Sequence, residues 1–277
     1  MITPAKILTE ITITSLSEFT QQIENLTSSD APFWFRGAGR ADYSLTPSLY
    51  RHPTLTNSSQ LIERESEILE RFKQRSFPYL NRASLGMASG DYWDYFFIMQ
   101  HFGVPTRLLD WSENPFISLY FALNSTKKNA ATGVFDSDAA VWALNPNAWN
   151  KASLHDISGK GTVIAPGDPV LDAYNPSKSK YTLRKSPVAI NGNHNSNRIV
   201  AQKGTFILFG NENKTMEDVF MEDPEYPAEC LIKLLIASSA IDQISKSLVR
   251  VGITDSVVYP DLEGLAKEIK RQHEFLV

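Results

Sequence analysis

Apolar residues recur at helical spacing near the start of the chain. Leu16, Phe19, Ile23 and Leu26 fall on one side of a helix expected over 12–26. Ser15 or Ser17 is placed to cap that helix, and Glu18 sits near its first turn. After a turn at Ser28-Ser29-Asp30, the run Phe33-Trp34-Phe35-Arg36-Gly37 reads as an inner strand, aromatic on both faces, entering a glycine turn. Residues 60–77 are charge-rich, yet Leu61, Ile68, Leu69 and Phe72 turn to one side, which predicts an amphipathic helix. Two more helices follow, over 92–101, where Tyr92, Phe96, Phe97 and Met99 supply packing, and over 115–123, with Pro115 suited to a first turn.

The second half changes character. Strands are expected over 140–144, 199–201, 205–209 and 230–236, the middle two flanking a Lys203-Gly204 turn and the last one central. Residues 151–197 are rich in Gly, Pro, Asn, Ser and Lys and read as a long loop-rich insertion with short strands. Helices over 240–249 and 260–275 close the chain, the second with Leu262, Leu265, Ala266 and Ile269 along one side. The pattern predicts a single mixed α+β domain over 1–277, helices mainly in the first half and at the C-terminus.

Composition narrows the function classes. With 42% apolar and 21% charged residues the chain is not a wholly disordered one. Its 27 basic and 31 acidic residues give a net charge of −4, which argues against nucleic-acid binding by overall charge and leaves room for a local basic cleft. The one cysteine, Cys230, excludes an intrachain disulfide and a cysteine-rich zinc site, and its apolar run predicts a buried, inert thiol. No stretch approaches the ~18 apolar residues of a membrane span, and Glu10 interrupts the N-terminal apolar run, so a cytoplasmic protein away from the membrane is expected.

Chemistry-bearing residues concentrate in a few places. Arg36 ends an apolar strand beside Gly37, where a guanidinium fork suits a phosphate or a carboxylate, or ties down chain ends. The run 100–115 packs His101, Arg107, Asp110, Trp111, Ser112 and Glu113 between two helices. Singly, each has a structural reading: Asp110 or Ser112 capping the next helix, Arg107 paired with Asp110, His101 a satisfied core histidine. Capping needs one such residue, so the whole set points to a site. The glutamates of 63–70 mostly form a solvated face, with one free to point inward. His52, His155, His194 and His273 show no metal spacing. There is no Walker loop, Gly-x-Gly-x-x-Gly turn or Gly-x-Ser-x-Gly elbow, which argues against a P-loop NTPase, a Rossmann dehydrogenase and an ordinary α/β-hydrolase.

Three stretches together resemble the FRG domain family of bacterial and phage-associated proteins. They are the aromatic-Arg-Gly signature at 35–37, the His-x-Gly-x-Pro-Thr-Arg-Leu-Leu-Asp-Trp-Ser block from His101 to Ser112, and the Arg-Ile-x-x-Gln-x-Gly-x-Phe element from Arg198 to Phe206. The likeness runs from near residue 12 to the end and extends to a distant similarity with the ADP-ribosyltransferase fold. That resemblance implies a central split sheet of antiparallel strands and NAD as substrate, with no metal. Arg36, Gly37, Arg107, Trp111, Ser112 and Gln202 would hold NAD, and Asp110, His101 and Arg36 would carry catalysis. It implies a toxin or effector in phage defence, transferring ADP-ribose to a nucleic acid or protein and restrained by an antitoxin or regulatory protein. For a nucleic-acid acceptor, the Lys/Arg-containing stretch 178–184 would supply local phosphate contacts; its plainer reading is a solvated loop. Where that fold carries a glutamate ahead of a Gly-Thr turn, this sequence offers Arg198 and Gln202. The acid then comes from Asp110, Glu113 or a glutamate of 63–70, or the domain is a non-catalytic nucleotide- or partner-binding module.

Overall fold

A computed structural model describes residues 6–79, 92–157, 161–178, 183–192 and 197–275. Its strands are β1 (Thr9–Ile13), β2 (Trp34–Ala38), β3 (Leu108–Ser112), β4 (Ala139–Leu144), β5 (Val188–Asn191), β6 (Gly204–Leu208) and β7 (Leu231–Ile236). They form one seven-stranded sheet in the order β1-β7-β4-β2-β3-β6-β5. β1 runs parallel to β7 and the other neighbours are antiparallel. The helices are α1 (Leu16–Leu26), α2 (Ser58–Ser76), α3 (Tyr92–His101), α4 (Pro115–Ser125), α5 (Pro146–Ser153), α6 (Asn197–Gln202), α7 (Met216–Glu222), α8 (Ile241–Arg250), α9 (Asp255–Val258) and α10 (Leu262–Gln272). The mixed α+β reading holds, but strands and helices are interspersed along the chain rather than segregated by half.

Both faces of the sheet are covered, which is why β4, Ala-Ala-Val-Trp-Ala-Leu, is buried at every position. One face carries Phe35, Val141 and Ile232 and packs under α1, α4 and α8 through Phe19, Ile117 and Ile244. Farther along the same face, Leu108 and Phe206 pack under α3 and the 169–174 turn through Phe97 and Tyr174. The other face carries Trp34, Trp142 and Ile207 and packs under α2, α5 and α7 through Leu61, Trp149 and Phe220. On the first face, therefore, two separate helical covers meet the sheet.

Several expected elements shift for local reasons. The first helix starts at Leu16, with the Ser15 side chain accepting from the Glu18 N–H, because the β-branched run Thr9–Ile13 pairs with β7 instead of coiling. The expected strand over 199–201 is helical: α6 holds Ile199 inward and ends at Gln202, and Lys203, with a φ of 45°, turns the chain into β6. Three residues are too few to show a period, so that error had no sequence remedy. Asn114 caps α4, a duty expected of Asp110 or Ser112, because those two lie in β3. The apolar stripe of α10 stays outside, with Leu262 84% exposed, while Gly264 makes the buried contact. The insertion contributes β5 and the turn at 169–174; residues 158–160, 179–182 and 193–196, including His194, lie outside the described residues. Cys230 is buried, and burial pushes its thiol up to about 12, so it stays protonated. No helix among the described residues is long and apolar enough to cross a membrane.

Candidate active site

The sheet opens between β2 and β3. These strands pair at Phe35↔Ser112 alone, although β2 continues to Ala38 and β3 begins at Leu108. Beyond that pair the edge of β3 is left without a ladder partner, and the Arg36 side chain takes over: its Nη1 donates to the Asp110 carbonyl at 2.5 Å. A cavity of about 310 Å³ lies over this gap, where the covers of α3 and α4 part. Arg36, Gly37, Asp110 and Ser112 form its floor, α3 contributes Gln100 and His101, and α6 contributes Arg198 and Gln202.

Gly37 is required by packing. A Cβ there would collide with the Ser118 carbonyl and lie 2.5 Å from the Ala122 nitrogen, so glycine lets α4 lie directly on β2. Arg36 leaves β2 in register with Trp142, on the far face, and reaches back into the gap. It pairs with no carboxylate among the described residues; burial lowers it from the ordinary arginine range, Asp110 opposes that and Arg51 adds to it. A guanidinium this desolvated and this little neutralised suits an anionic ligand.

Asp110 is the one exposed position in an otherwise buried strand, and the only carboxylate among the described residues lining the cavity. A polar chain of fixed direction reaches it. The Leu108 N–H donates to Thr106 Oγ1 (3.1 Å), Thr106 Oγ1 donates to Gln100 Oε1 (2.5 Å), and Gln100 Nε2 donates to Asp110 Oδ2 (2.8 Å). A carboxylate accepts here, so Gln100 presents Nε2 to Asp110, which turns its Oε1 toward Thr106 and leaves the hydroxyl as donor. His101, half-buried, is held below its ordinary range by burial first and by Arg198 second, with Asp110 opposing. Near neutral pH it is an uncharged imidazole able to take a proton.

The cavity brings together Arg36, Gly37, His101, Asp110, Ser112 and Gln202, as the sequence suggested. The Ser112 hydroxyl is committed to structure, donating to the Gln202 carbonyl (2.6 Å) and accepting from the Asn114 N–H (2.9 Å). Gln202 Nε2 donates to the Val258 carbonyl (3.0 Å), so both residues tie α6 to the cavity rim. Two expectations are corrected. Trp111 borders the cavity, but strand alternation with Asp110 and Ser112 sends its indole into the core of the opposite face, among Trp34 and Trp142; the aromatic walls are Phe97, Phe121 and Phe206. Across that far face, the indole N–H groups of Trp111 and Trp142 and the Thr205 hydroxyl are buried without a protein partner.

Arg107 is the second correction. It does not border the cavity and does not meet Asp110. It is fully buried against Glu65, with Nε 2.8 Å from Oε2, and also donates to the Phe209 and Tyr174 carbonyls. Glu65 is therefore the inward glutamate of 63–70, and the signal was present: Leu61, Glu65 and Leu69 share one side of α2, so a carboxylate sits on the apolar stripe. Gln100 and Arg198 are two lining residues to which sequence reasoning gave no role in the site, though both stand inside the motifs it singled out. Lys178 pairs with Asp172 and Arg184 with Asp156, so the described ends of 178–184 are already neutralised.

A family model described as FRG domain matches residues 31–131. That span contains β2, α2, α3, β3 and α4, and with them Arg36, Gln100, His101 and Asp110. No curated protein and no solved structure matches the chain.

Proposed function

From the premise that this chain carries an FRG domain over residues 31–131, we propose that its cavity binds the nicotinamide–ribose end of NAD and that the protein is an NAD-dependent ADP-ribosyltransferase-like enzyme. One observation carries the reading: Arg36 and Asp110, far apart in sequence, line the same gap in the sheet. The break between β2 and β3 fits a split sheet of the ADP-ribosyltransferase type. At about 310 Å³ the cavity lies at the small end of the ~300–1,000 Å³ typical of small-molecule sites. It suits one nucleoside end of a dinucleotide, with the remainder at the mouth.

In this reading the bond between ribose C1′ and the nicotinamide nitrogen breaks, and its electron pair goes to that nitrogen, releasing neutral nicotinamide. Cationic character develops on the ribose. Arg36 holds a phosphate, the Asp110 carboxylate faces the developing charge in a partly dry site, and a phenyl face of Phe121 or Phe206 receives the nicotinamide. An oxygen or nitrogen of the acceptor then bonds to C1′, and its proton passes to the neutral His101. The acceptor is a nucleic acid or a protein, or water if the enzyme is an NAD glycohydrolase. The toxin or effector role in phage defence, with an antitoxin partner, belongs to the same proposal and rests on the resemblance of the quoted motifs.

A second reading, a nucleotide-binding module without turnover, is favoured by Gln202, which stands where a glutamate is expected and whose amide is spent on the Val258 carbonyl. Incubating the purified chain with NAD and quantifying free nicotinamide separates the two. The enzyme reading predicts release that falls ~100-fold or more in Asp110→Asn. Binding of NAD with no nicotinamide released, with or without protein and nucleic-acid acceptors, would establish the module instead.

A further inference from the structure

Among the described residues, the charged side chains lining the cavity are two guanidiniums and one carboxylate: Arg36, Arg198 and Asp110. Asp110 already accepts from Gln100 (2.8 Å). Arg36 spends one N–H on the Asp110 carbonyl. Arg198, half-buried on α6, rests on the ring face of Tyr259 at 4.7 Å, and among the described residues it has no carboxylate partner. A ring face consumes none of the five N–H donors of a guanidinium, and it fixes the plane in which they point. Tyr259 is itself braced from Lys267, 4.8 Å from its ring, so the platform under Arg198 is held from two directions. The field of Arg198 is felt inside the cavity, since it helps to keep His101 uncharged.

A net positive charge in a small, partly desolvated hollow is costly, and an anionic ligand offsets that cost. One phosphate engaged by Arg36 would leave the N–H fork of Arg198 without a phosphate oxygen of its own. From this arrangement, and resting on the nucleotide-binding reading of the cavity, we infer that Arg198 on its Tyr259 platform is a second anion-binding arm that selects a diphosphate-bearing ligand over a monophosphate. Arg36 and Arg198 divide the two phosphates, and the carboxylate end of the site faces the sugar.

Calorimetric titration with ADP-ribose and with AMP tests this. ADP-ribose carries the diphosphate and lacks nicotinamide, so its binding does not depend on turnover. Wild type is expected to bind ADP-ribose, and Arg198→Ala to weaken it at least ~10-fold, the loss of a charged hydrogen-bonding arm, while AMP affinity changes less than about twofold on the same scale. Arg198→Lys, which keeps the charge and loses the fork and the stacking, falls between. Thermal unfolding of each variant separates a lost contact from a lost fold, and Arg198→Lys serves if the alanine variant is unstable. Equal weakening of ADP-ribose and AMP, unchanged ADP-ribose affinity, or no ADP-ribose binding by wild type overturns the inference. Nicotinamide release measured alongside keeps the two claims apart. Arg198-dependent ADP-ribose binding without release leaves this arm standing and removes the enzyme reading; release with KM for NAD unchanged in Arg198→Ala does the reverse.

Discussion

Replacing Glu65 by glutamine tests the assignment of Arg107 to the core. The two side chains are 0% and 1% exposed, and their contact is 2.8 Å. Glu65 Oε1 also accepts from the Arg107 backbone N–H at 3.0 Å, so both carboxylate oxygens face donors. Glutamine keeps the shape but supplies one acceptor and an NH₂, which sets donor against donor and leaves a buried guanidinium without its counter-charge. Burial lowers Arg107 and the neighbouring Glu65 raises it above the ordinary arginine range; because an arginine stays protonated in proteins even without such a partner, the cation in the variant bears the desolvation with no counter-charge. Breaking such a pair on one side costs ~3–5 kcal/mol, a large share of the ~5–15 kcal/mol that holds a typical domain together. In a chain of this size it lowers the melting temperature on the order of 10 °C. The assay is urea unfolding followed by circular dichroism, with Glu67→Gln as control: its pair with Arg64 is 51% and 65% exposed, and its loss costs ~0.5 kcal/mol or less. The double variant Glu65→Leu with Arg107→Met recovers only part of the loss, because the Phe209 and Tyr174 carbonyls lose their donors at ~1–3 kcal/mol each. A Glu65→Gln loss below ~1 kcal/mol, indistinguishable from the surface control, refutes the reasoning.

Gly37→Ala is expected to destabilise by ~1–3 kcal/mol, because the new methyl meets backbone atoms of Ser118 and Ala122 that cannot move without shifting α4; a melting temperature equal to that of wild type would show that α4 does not rest on β2 as described. His101 gives a pH test with a definite sign. Its folded value is lowered below the ordinary 6.5, so the unfolded chain takes up a proton that the folded chain resists; the stability is fully present above the unfolded value and declines as pH falls through it toward the lowered folded value. Melting curves between pH 7.5 and 5 therefore fall less steeply in His101→Gln than in wild type, and parallel curves would contradict the depressed imidazole.

The sequence by itself determined the amphipathic helices α2 and α8, the apolar strands β2, β4 and β7, and the dense block that became β3, because periodicity and apolar runs are local properties of the chain. It also drew Arg36, His101 and Asp110 together as candidates, since residue type alone tells which groups can bind anions or move protons. It did not separate Arg107 from Arg36: both are arginines in signature motifs, and what sends one into an ion pair with Glu65 and the other into a gap is the pairing of strands more than seventy residues apart. Trp111 shows the same limit, for an aromatic next to an aspartate lies on the opposite side of the sheet as soon as the segment is a strand rather than a bend. The tertiary structure alone decided that β2 and β3 part company after one residue pair and that α3, α4 and α6 stop short of covering the opening. A cavity is an absence of packing among distant segments, and no local pattern of residues encodes it.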